Sequence, residues 1–535
     1  MRGRTGARPH GGTGKRRQPA WVGVLSCAVP LCLGSAVPAV AQCPDGTPPP
    51  CAVRPYHAPA PPPNSVAVMY LDNDSRDTSD AYLADGLTEE ITTKLGQIGR
   101  LAVTSNTTMR RYRGTAALEP TVLGRTLRVA QLVSGSVRRA GHRIRVNVEL
   151  LRARDGVQLW ADDYDQTDAD LLSIEETIAR SVATAIAGRL LPVEQATLAA
   201  RPTRNPEAYD HLLRGNFYIA QRTPAAARRA LAEYQAAAAL DPTFALAYGR
   251  MGLCYSLFID WGWPYPGVSE DSLIVLGAAV ADRALQLDSQ STDGWMARAY
   301  IDVYLHPTTF EGALPAFERA IALDPRNAEA HHQYASILMS MGRDSAAAEE
   351  YRRALALDPL RAITLDNFGT LRYLEHRMDE AVPLLDSAIA ADPLAYYAYV
   401  DRADLRLTRG EVAGARADVA ASVRTRPADY VVSSEPLVAT LEFLDGDTVS
   451  ARARLNRVIG QLPDPAHPDY TAGQWIGLAW LRMGDRERAL SVLESVRPRG
   501  INLWFTMRDP GFDPIRDTPR FRALDAQTRP SGVDR

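Results

Sequence analysis

At 535 residues the chain is long enough for two or more domains, each burying its own core. A content of 46% hydrophobic and 23% charged residues, with a formal net charge of −3, is that of an ordinary soluble globular protein and argues against a nucleic-acid-binding field across the molecule. Lys15 and Lys94 are the only lysines, which leaves one in the folded part for Schiff-base or phosphate-anchoring chemistry, and Cys27, Cys32, Cys43, Cys51 and Cys254 form no CxxC or metal-ligand cluster.

The first residues carry Arg2, Arg4, Arg8, Lys15, Arg16 and Arg17 without an acid. A mostly apolar stretch follows from Trp21 to Val40, and Ala39-Val40-Ala41 is a small-x-small cleavage site. This order describes a secretory signal over 1–41, cleaved after Ala41, and a periplasmic or secreted protein. The alternative is an uncleaved inner-membrane anchor with periplasmic domains, and membrane association is expected only through that segment. Pro30, Pro38 and the short apolar core suit a permanent span poorly. Residues 42–64 form a proline-rich linker that favours extended polyproline II, and Cys43 and Cys51 within it could close a small loop in an oxidising compartment.

A first folded domain is expected over 65–195. Ser65 to Leu71 reads as a buried strand, leading into a loop with Asp72, Asp74, Asp77, Asp80 and Asp85. Asp72-x-Asp74 opens like a calcium loop, but Arg76 and Asp77 stand where a ligand and a glycine are required, so a solvated loop is expected. Leu87–Leu95 reads as a helix, Leu101–Val103 as a strand and Val122–Leu127 as a short helix. A meander follows, from Ala130–Arg138 through Ala140-Gly141 to Arg143–Leu151, with Ile144, Val146, Val148 and Leu150 alternating against polar residues. Asp155-Gly156 turns the chain into Val157–Trp160. Ser173-x-x-Glu176 reads as a capping box opening a helix with Ile174, Ile178, Val182, Ile186 and Leu190 on one stripe. Arg138, Arg139, His142, Arg143 and Arg145 cluster at the hairpin and are expected to form a solvated or protein-contacting face.

The segments "SVAVMYLDNDS", "YLADGLTEEI", "VSGSVRRAGHRIRVNVELLRARDGVQLWADDYD" and "LLSIEETIA" resemble the TolB-amino-terminal-like (FlgO-like) α/β domain. That resemblance covers most of 65–195, and its most specific part is the glycine-serine-valine-arginine-arginine hairpin. Met69-Tyr70 departs from it, since relatives usually carry leucine-proline there. It implies a non-enzymatic domain that in many bacterial proteins precedes helical repeats, with relatives fused to cyclase, kinase or winged-helix modules.

Downstream, Asp324-Pro325, Asp358-Pro359 and Asp392-Pro393 stand 34 residues apart, and Arg426-Pro427 keeps the interval. Small residues recur at Ala335, Ala347, Ala354, Gly369, Ala381 and Ala388, where paired helices would cross. This is the tetratricopeptide pattern, two antiparallel helices per repeat with a proline stopping the second. It predicts about seven repeats over 205–500, from Asn205-Pro206 onward, and a capping tail over 501–535. The second unit is stretched around Trp261-Gly262-Trp263-Pro264-Tyr265-Pro266, expected to pack on the array. Cys254 has apolar neighbours and is expected to be a buried thiol.

The concave groove of such an array is lined by the first helix of each pair. By register its exposed candidates are Glu329, His332, Ser336, Met339, Asp366, Thr370, Tyr373, Tyr397 and Asp404. Chaperone-binding relatives clamp a terminal carboxylate with basic and asparagine residues, whereas His332, Ser336, Asp366 and Thr370 stand here, so a mixed polar and apolar peptide surface is expected. His331-His332 point about 100° apart on a helix and cannot share a metal. No nucleophile elbow, Walker loop or HExxH occurs, so no catalytic residues and no cofactor or metal are expected. The expected fold class is α+β and multidomain, a small α/β domain followed by an all-α superhelical solenoid. The expected function is a non-catalytic, exported protein-interaction scaffold for envelope assembly or signalling, with protein or peptide partners and no nucleic acid. The alternative is a regulatory or sensory protein whose α/β domain binds a small ligand.

Overall fold

A computed structural model describes residues 61–530 apart from 114–118, 168–169, 261–262, 264, 307–309, 311, 428–431, 463–464, 467, 469 and 497–500. The expected signal over 1–41, most of the linker, Cys43 and Cys51 lie outside the described residues. No helix among the described residues is long and apolar enough to cross a membrane.

The chain begins with a mixed sheet. Strand β1 (Ser65–Val68) pairs in parallel with β3 (Ala102–Val103) and with β4 (Gln131–Ala140), while β2 (Asp72–Asn73) adds to β4. Strands β4, β5 (Arg143–Arg152) and β6 (Gln158–Thr167) form the antiparallel meander. On β5, Ile144, Val146, Val148 and Leu150 are buried and Arg143, Arg145 and Asn147 exposed, as the period-two pattern requires. Gly141 turns the hairpin at φ 62°, a conformation glycine reaches without steric cost.

Two helices, α1 (Ala81–Gly96) and α4 (Leu171–Ala187), cover one face of the sheet, and α5 (Pro192–Ala199) packs beside α4. On the other face α2 (Asn106–Met109) and α3 (Pro120–Leu127) bury Met109, Leu123 and Leu127 with Ala67, Leu132 and Leu151. Helix α1 starts six residues before the expected Leu87. A short turn whose Asp77 side chain accepts from the Ser79 amide leads the chain into it. The expected capping box at Ser173 does not form. Helix α4 already begins at Leu171, and the Ser173 hydroxyl accepts instead from Arg201. Strand β6 runs on to Thr167, well past Trp160, because Asp165 pairs with Arg143 and Arg145 at 2.8 and 3.0 Å. The arginine hairpin is thus a largely solvated face, with Arg143 and Arg145 paired to Asp165 on the neighbouring strand.

Among the described residues eight antiparallel helix pairs follow, from Pro206–Ile219 with Pro224–Leu240 to Tyr470–Arg482 with Arg486–Ser495, where sequence spacing suggests about seven. Each second helix among Leu314–Leu323, Asp344–Leu357 and Met378–Ala391 stops at the aspartate of an Asp-Pro rung. Small residues sit at the crossings: a Cβ on Gly215 would stand 2.3 Å from the Tyr234 ring. Cys254 is buried with its thiol toward the Ala227 carbonyl, and burial pushes its pKa up to about 12. In the stretched unit, Trp263 and Tyr265 pack edge-on against Phe258.

The two parts do not keep separate cores. One continuous apolar cluster runs from Val66 and Leu87 in the α/β part to Leu212, Tyr234 and Phe258 in the array. Helix α1 lies between the sheet and the Pro206–Ile219 helix. Polar contacts fix this junction. Tyr82 donates to Asp210 at 2.6 Å beneath the Arg214 guanidinium, Tyr209 donates to the buried Glu175 at 2.6 Å, and Lys94 donates to the Leu198 carbonyl. The α/β part is therefore built onto the first repeats as their cap, which the sequence pattern of two separate domains does not convey.

Candidate peptide groove

The groove is walled by the Ala328–Ser340, Ala362–Leu374 and Tyr396–Thr408 helices, first members of successive pairs. All nine expected groove residues fall on these helices, but the expectation that they are exposed is overturned. His332, Met339, Asp366, Tyr373 and Asp404 are buried, and Glu329, Ser336, Thr370 and Tyr397 are half-buried. Two segments distant in sequence cover them.

From one side comes the α/β part. Ser105 and Thr108, at the start of α2, both donate to the Asp358 carboxylate, the latter at 2.7 Å. Arg361 donates to Thr107 and pairs with Glu329, and Arg326 donates to the Ile98 and Leu101 carbonyls. Burial alone would raise the Glu329 carboxyl, but Arg361, with His332 and Gln333, holds it down at about 2. His332 has the opposite fate. Burial and then Arg361 hold its imidazole down to about 3, so it stays neutral while the Thr364 hydroxyl meets its Nδ1 at 3.1 Å.

From the other side comes the tail. The Ile501–Met507 helix and the turn after it reach across from the last pair. Arg508 donates to the Met339 carbonyl at 3.0 Å and pairs with Asp344 at 2.5 Å, while Phe505 packs among the apolar residues around Met339 and Leu338. Asp509 is buried beside Asp404. Tyr373 Oη lies 2.9 Å from Asp404, 3.0 Å from Asp509 and 2.8 Å from Thr408. A phenol has one proton, so Tyr373 donates to one of these carboxylates at a time, while Gln474 and the Gly511 amide donate to Asp509. Burial, with Asp404 nearby, pushes Asp509 up to about 7. Arg482 pairs with Asp404 at 2.7 Å. Phe512 and Phe521, further along the tail, bury in the same apolar cluster as the last pair.

A cavity of about 240 Å3 remains between groove and tail, bounded by Asn367, Thr370, Asp401, Trp475, Phe505 and Asp509. A second, of about 580 Å3, lies on the open face of the sheet beside Tyr70, Asp72, Gly135, Glu149 and Asp163. Sequence reasoning took Asp358 as a helix stop alone and missed Asp401, Trp475 and Asp509. Only the tail's Asp509-Pro510, an Asp-Pro step out of register with the rungs, marks one of them. No group of three His, Cys, Asp or Glu among the described residues could hold a metal.

Residues 308–363 match the family model of the tetratricopeptide repeat. The helical array is a tetratricopeptide solenoid. Over 243 residues, 45% of this chain, the sequence is 30% identical to a Rhizobium meliloti (strain 1021) protein named as an adenylate cyclase. The match spans 40% of that relative, less than half its length. Among solved structures, pilF of Pseudomonas aeruginosa is 19% identical, with a TM-score of 0.33 over 41% of this chain and 92% of that one. A tetratricopeptide repeat protein of Parabacteroides merdae is 14% identical, with a TM-score of 0.37 over 51% and 99%. Yeast Tom70 is 14% identical, with a TM-score of 0.39 over 68% and 83%.

Proposed function

We propose that the protein is a non-catalytic, exported interaction scaffold whose solenoid groove takes up a segment of a protein partner. The observation that carries this reading is the groove's own occupant. A helix and turn bearing Phe505, Arg508 and Asp509 lie across it, held by an apolar pocket, a main-chain carbonyl and polar side chains. A partner segment with an aromatic residue followed by a basic and an acidic one would meet the same contacts, in the manner of helix-in-groove recognition. In this reading residues 1–41 are a signal cleaved after Ala41, 42–64 a tether, 65–195 a TolB-amino-terminal-like (FlgO-like) domain, 205–500 the repeats and 501–535 the cap. Glu329, His332, Ser336, Met339, Asp366, Thr370, Tyr373, Tyr397 and Asp404 form the groove beneath that cap.

Affinity capture from an envelope fraction tests it, using the full chain and an R508A variant with a loosened tail. The expected result is a protein partner recovered more strongly with R508A and competed by a peptide covering 503–512. Equal recovery without competition refutes groove binding. Amino-terminal sequencing of the mature protein, expected to begin at Gln42, tests export.

A second reading, a regulatory protein whose α/β domain binds a small ligand, is favoured by the cavity of about 580 Å3 on the open sheet face, a volume usual for ligand pockets. The relative named as a cyclase agrees with it. A metabolite that raises the melting temperature, with no partner recovered by capture, would select it over the scaffold.

A further inference from the structure

We propose that the outer edge of strand β6 takes up an extended, basic segment of a protein partner as an added strand. Alternate side chains of that segment reach into the cavity of about 580 Å3 beside the edge, which then serves as a side-chain pocket. This docking site goes beyond the scaffold reading, since it is separate from the solenoid groove and does not depend on what occupies it.

Strand β6 ends the sheet, which runs β3-β1-β4-β5-β6. At ten residues it is long for an edge, since strands usually have about five or six. The Asn147 carbonyl faces Gly135 on β4. Asn147 and its partner Asp163 are therefore a non-hydrogen-bonded pair, and Asp163 turns its own amide and carbonyl away from β5. Period two gives Ala161 and Asp165 the same orientation. Among the described residues no other strand pairs with this edge, and no turn or loop amide bonds to it. The Asp163 amide is met at 2.9 Å by the side chain of Asp162, which stands in for the missing strand. An edge left open in this way is a template for another strand.

Side chains decide which strand fits. Ala161, Asp163 and Asp165 stand across from Glu149, Asn147 and Arg145, on the sheet face away from α1 and α4. The cavity lies on that face. Asp72, Asp74, Glu149, Asp162 and Asp163 line it, with no lysine, arginine or histidine among its described walls. Ala161 is the low point of its rim. A residue opposite Ala161 on an added strand would have its Cβ within about 4.5–5.5 Å, so a long side chain there passes over the methyl into the cavity. It meets Glu149, whose Oε1 accepts from Ser134 at 2.7 Å. A second basic residue two positions on meets Asp163. Toward the hairpin the demand ends, because Arg143 and Arg145 already hold Asp165. The same carboxylates count against a second copy of this chain. Two β6 edges paired about a twofold near Asp163 would set like charges directly opposite each other, which is destabilising. Main-chain bonds along the edge with pockets for alternate side chains are the terms of strand addition.

Fluorescence anisotropy on the full chain tests this with a labelled, blocked Thr-Lys-Val-Arg-Val-Lys-Thr peptide. One control carries glutamate in place of each basic residue, and another is N-methylated at the basic residues, whose amides would face β6. Saturable binding of the basic peptide is expected, and of neither control. E149Q still accepts from Ser134 and should weaken binding about tenfold. Ala161→Pro removes an amide that faces out of the sheet and should abolish binding. Ala161→Arg, a surface change that fills the rim, should do the same, and melting temperatures check that each variant is folded. R508A, which loosens the tail, should leave binding unchanged. No binding of the basic peptide, equal binding of the N-methylated one, or undiminished binding in E149Q and both Ala161 variants overturns the proposal. So does a dimer that Ala161→Pro dissociates, which would assign the edge to a second copy.

Discussion

The Thr108 hydroxyl donates to the Asp358 carboxylate at 2.7 Å across 250 residues of chain, which ties the α/β part to the fourth helix pair. The rung aspartates otherwise act locally: Asp324 caps the Arg326 amide at 3.1 Å and Asp392 the Leu394 amide at 3.0 Å. Asp358 gives its two oxygens to Ser105 and Thr108. Replacing it with alanine strands two hydroxyls at a buried junction, a loss of about 1–3 kcal/mol in urea unfolding. Asp392→Ala removes one exposed turn contact and should cost less than about 1 kcal/mol. Equal effects of the two substitutions would show that the junction adds nothing.

Tyr373→Phe tests the tail contact. It removes the hydroxyl shared by Asp404, Asp509 and Thr408 and adds no bulk. A loss of about 1–3 kcal/mol is expected for the buried oxygens left behind. Hydrogen exchange should quicken across 501–512 while strand β5 stays protected. Unchanged exchange in the tail would mean that apolar packing of Phe505 and Phe512 alone holds it.

The repeats were legible because their determinants are local. Asp-Pro rungs stop helices, and Ala347, Tyr351 and Ala354 are buried where the spacing puts them. The meander was legible because Ile144 to Leu150 alternate. What covers the groove was not. Asp366 and Tyr373 carry register information about which helix face they share, but none about whether residues 105–108 or 505–509 come to lie on it. The start of helix α1 escapes the local sequence for a related reason. Tyr82 and Leu83 look like loop residues after an aspartate-rich stretch, yet both are buried against the array, so tertiary packing decides where that helix starts.

Gly215 and Gly460 should respond to alanine with opposite sign. A Cβ at 215 would meet the buried Tyr234 ring at 2.3 Å, and that ring is fixed by its hydrogen bond to Asn216 at 3.0 Å. Overpacking of this kind costs about 1–3 kcal/mol. At Gly460, the last residue of the Thr448–Gly460 helix, nothing lies within 4 Å of a new Cβ. There the reduced freedom of the unfolded chain should add about 0.4–1 kcal/mol. Melting temperatures of the two variants decide, and stabilisation by Gly215→Ala would place the first two helices further apart than described.

Stability should fall as pH rises through neutrality. Asp401 and Asp509 are pushed up to about 7 in the folded chain, chiefly by burial, against about 3.9 when unfolded. Between these values the folded state binds protons that the unfolded state does not. The stability this contributes is fully present below about pH 4 and is lost as pH rises through about 7. His332 works the other way: held down to about 3, it costs stability as pH falls below about 6.5, where the unfolded imidazole charges and the folded one does not. The two effects oppose each other on the acid side, so the clean window is about pH 6.5–8. There the wild-type melting temperature should drop, D401N and D509N should each flatten the drop, and H332Q should leave it unchanged while raising stability below about pH 6 relative to the wild type. A wild-type melting temperature that is flat or rises across that window would mean that the carboxylates beneath the tail are ionised throughout.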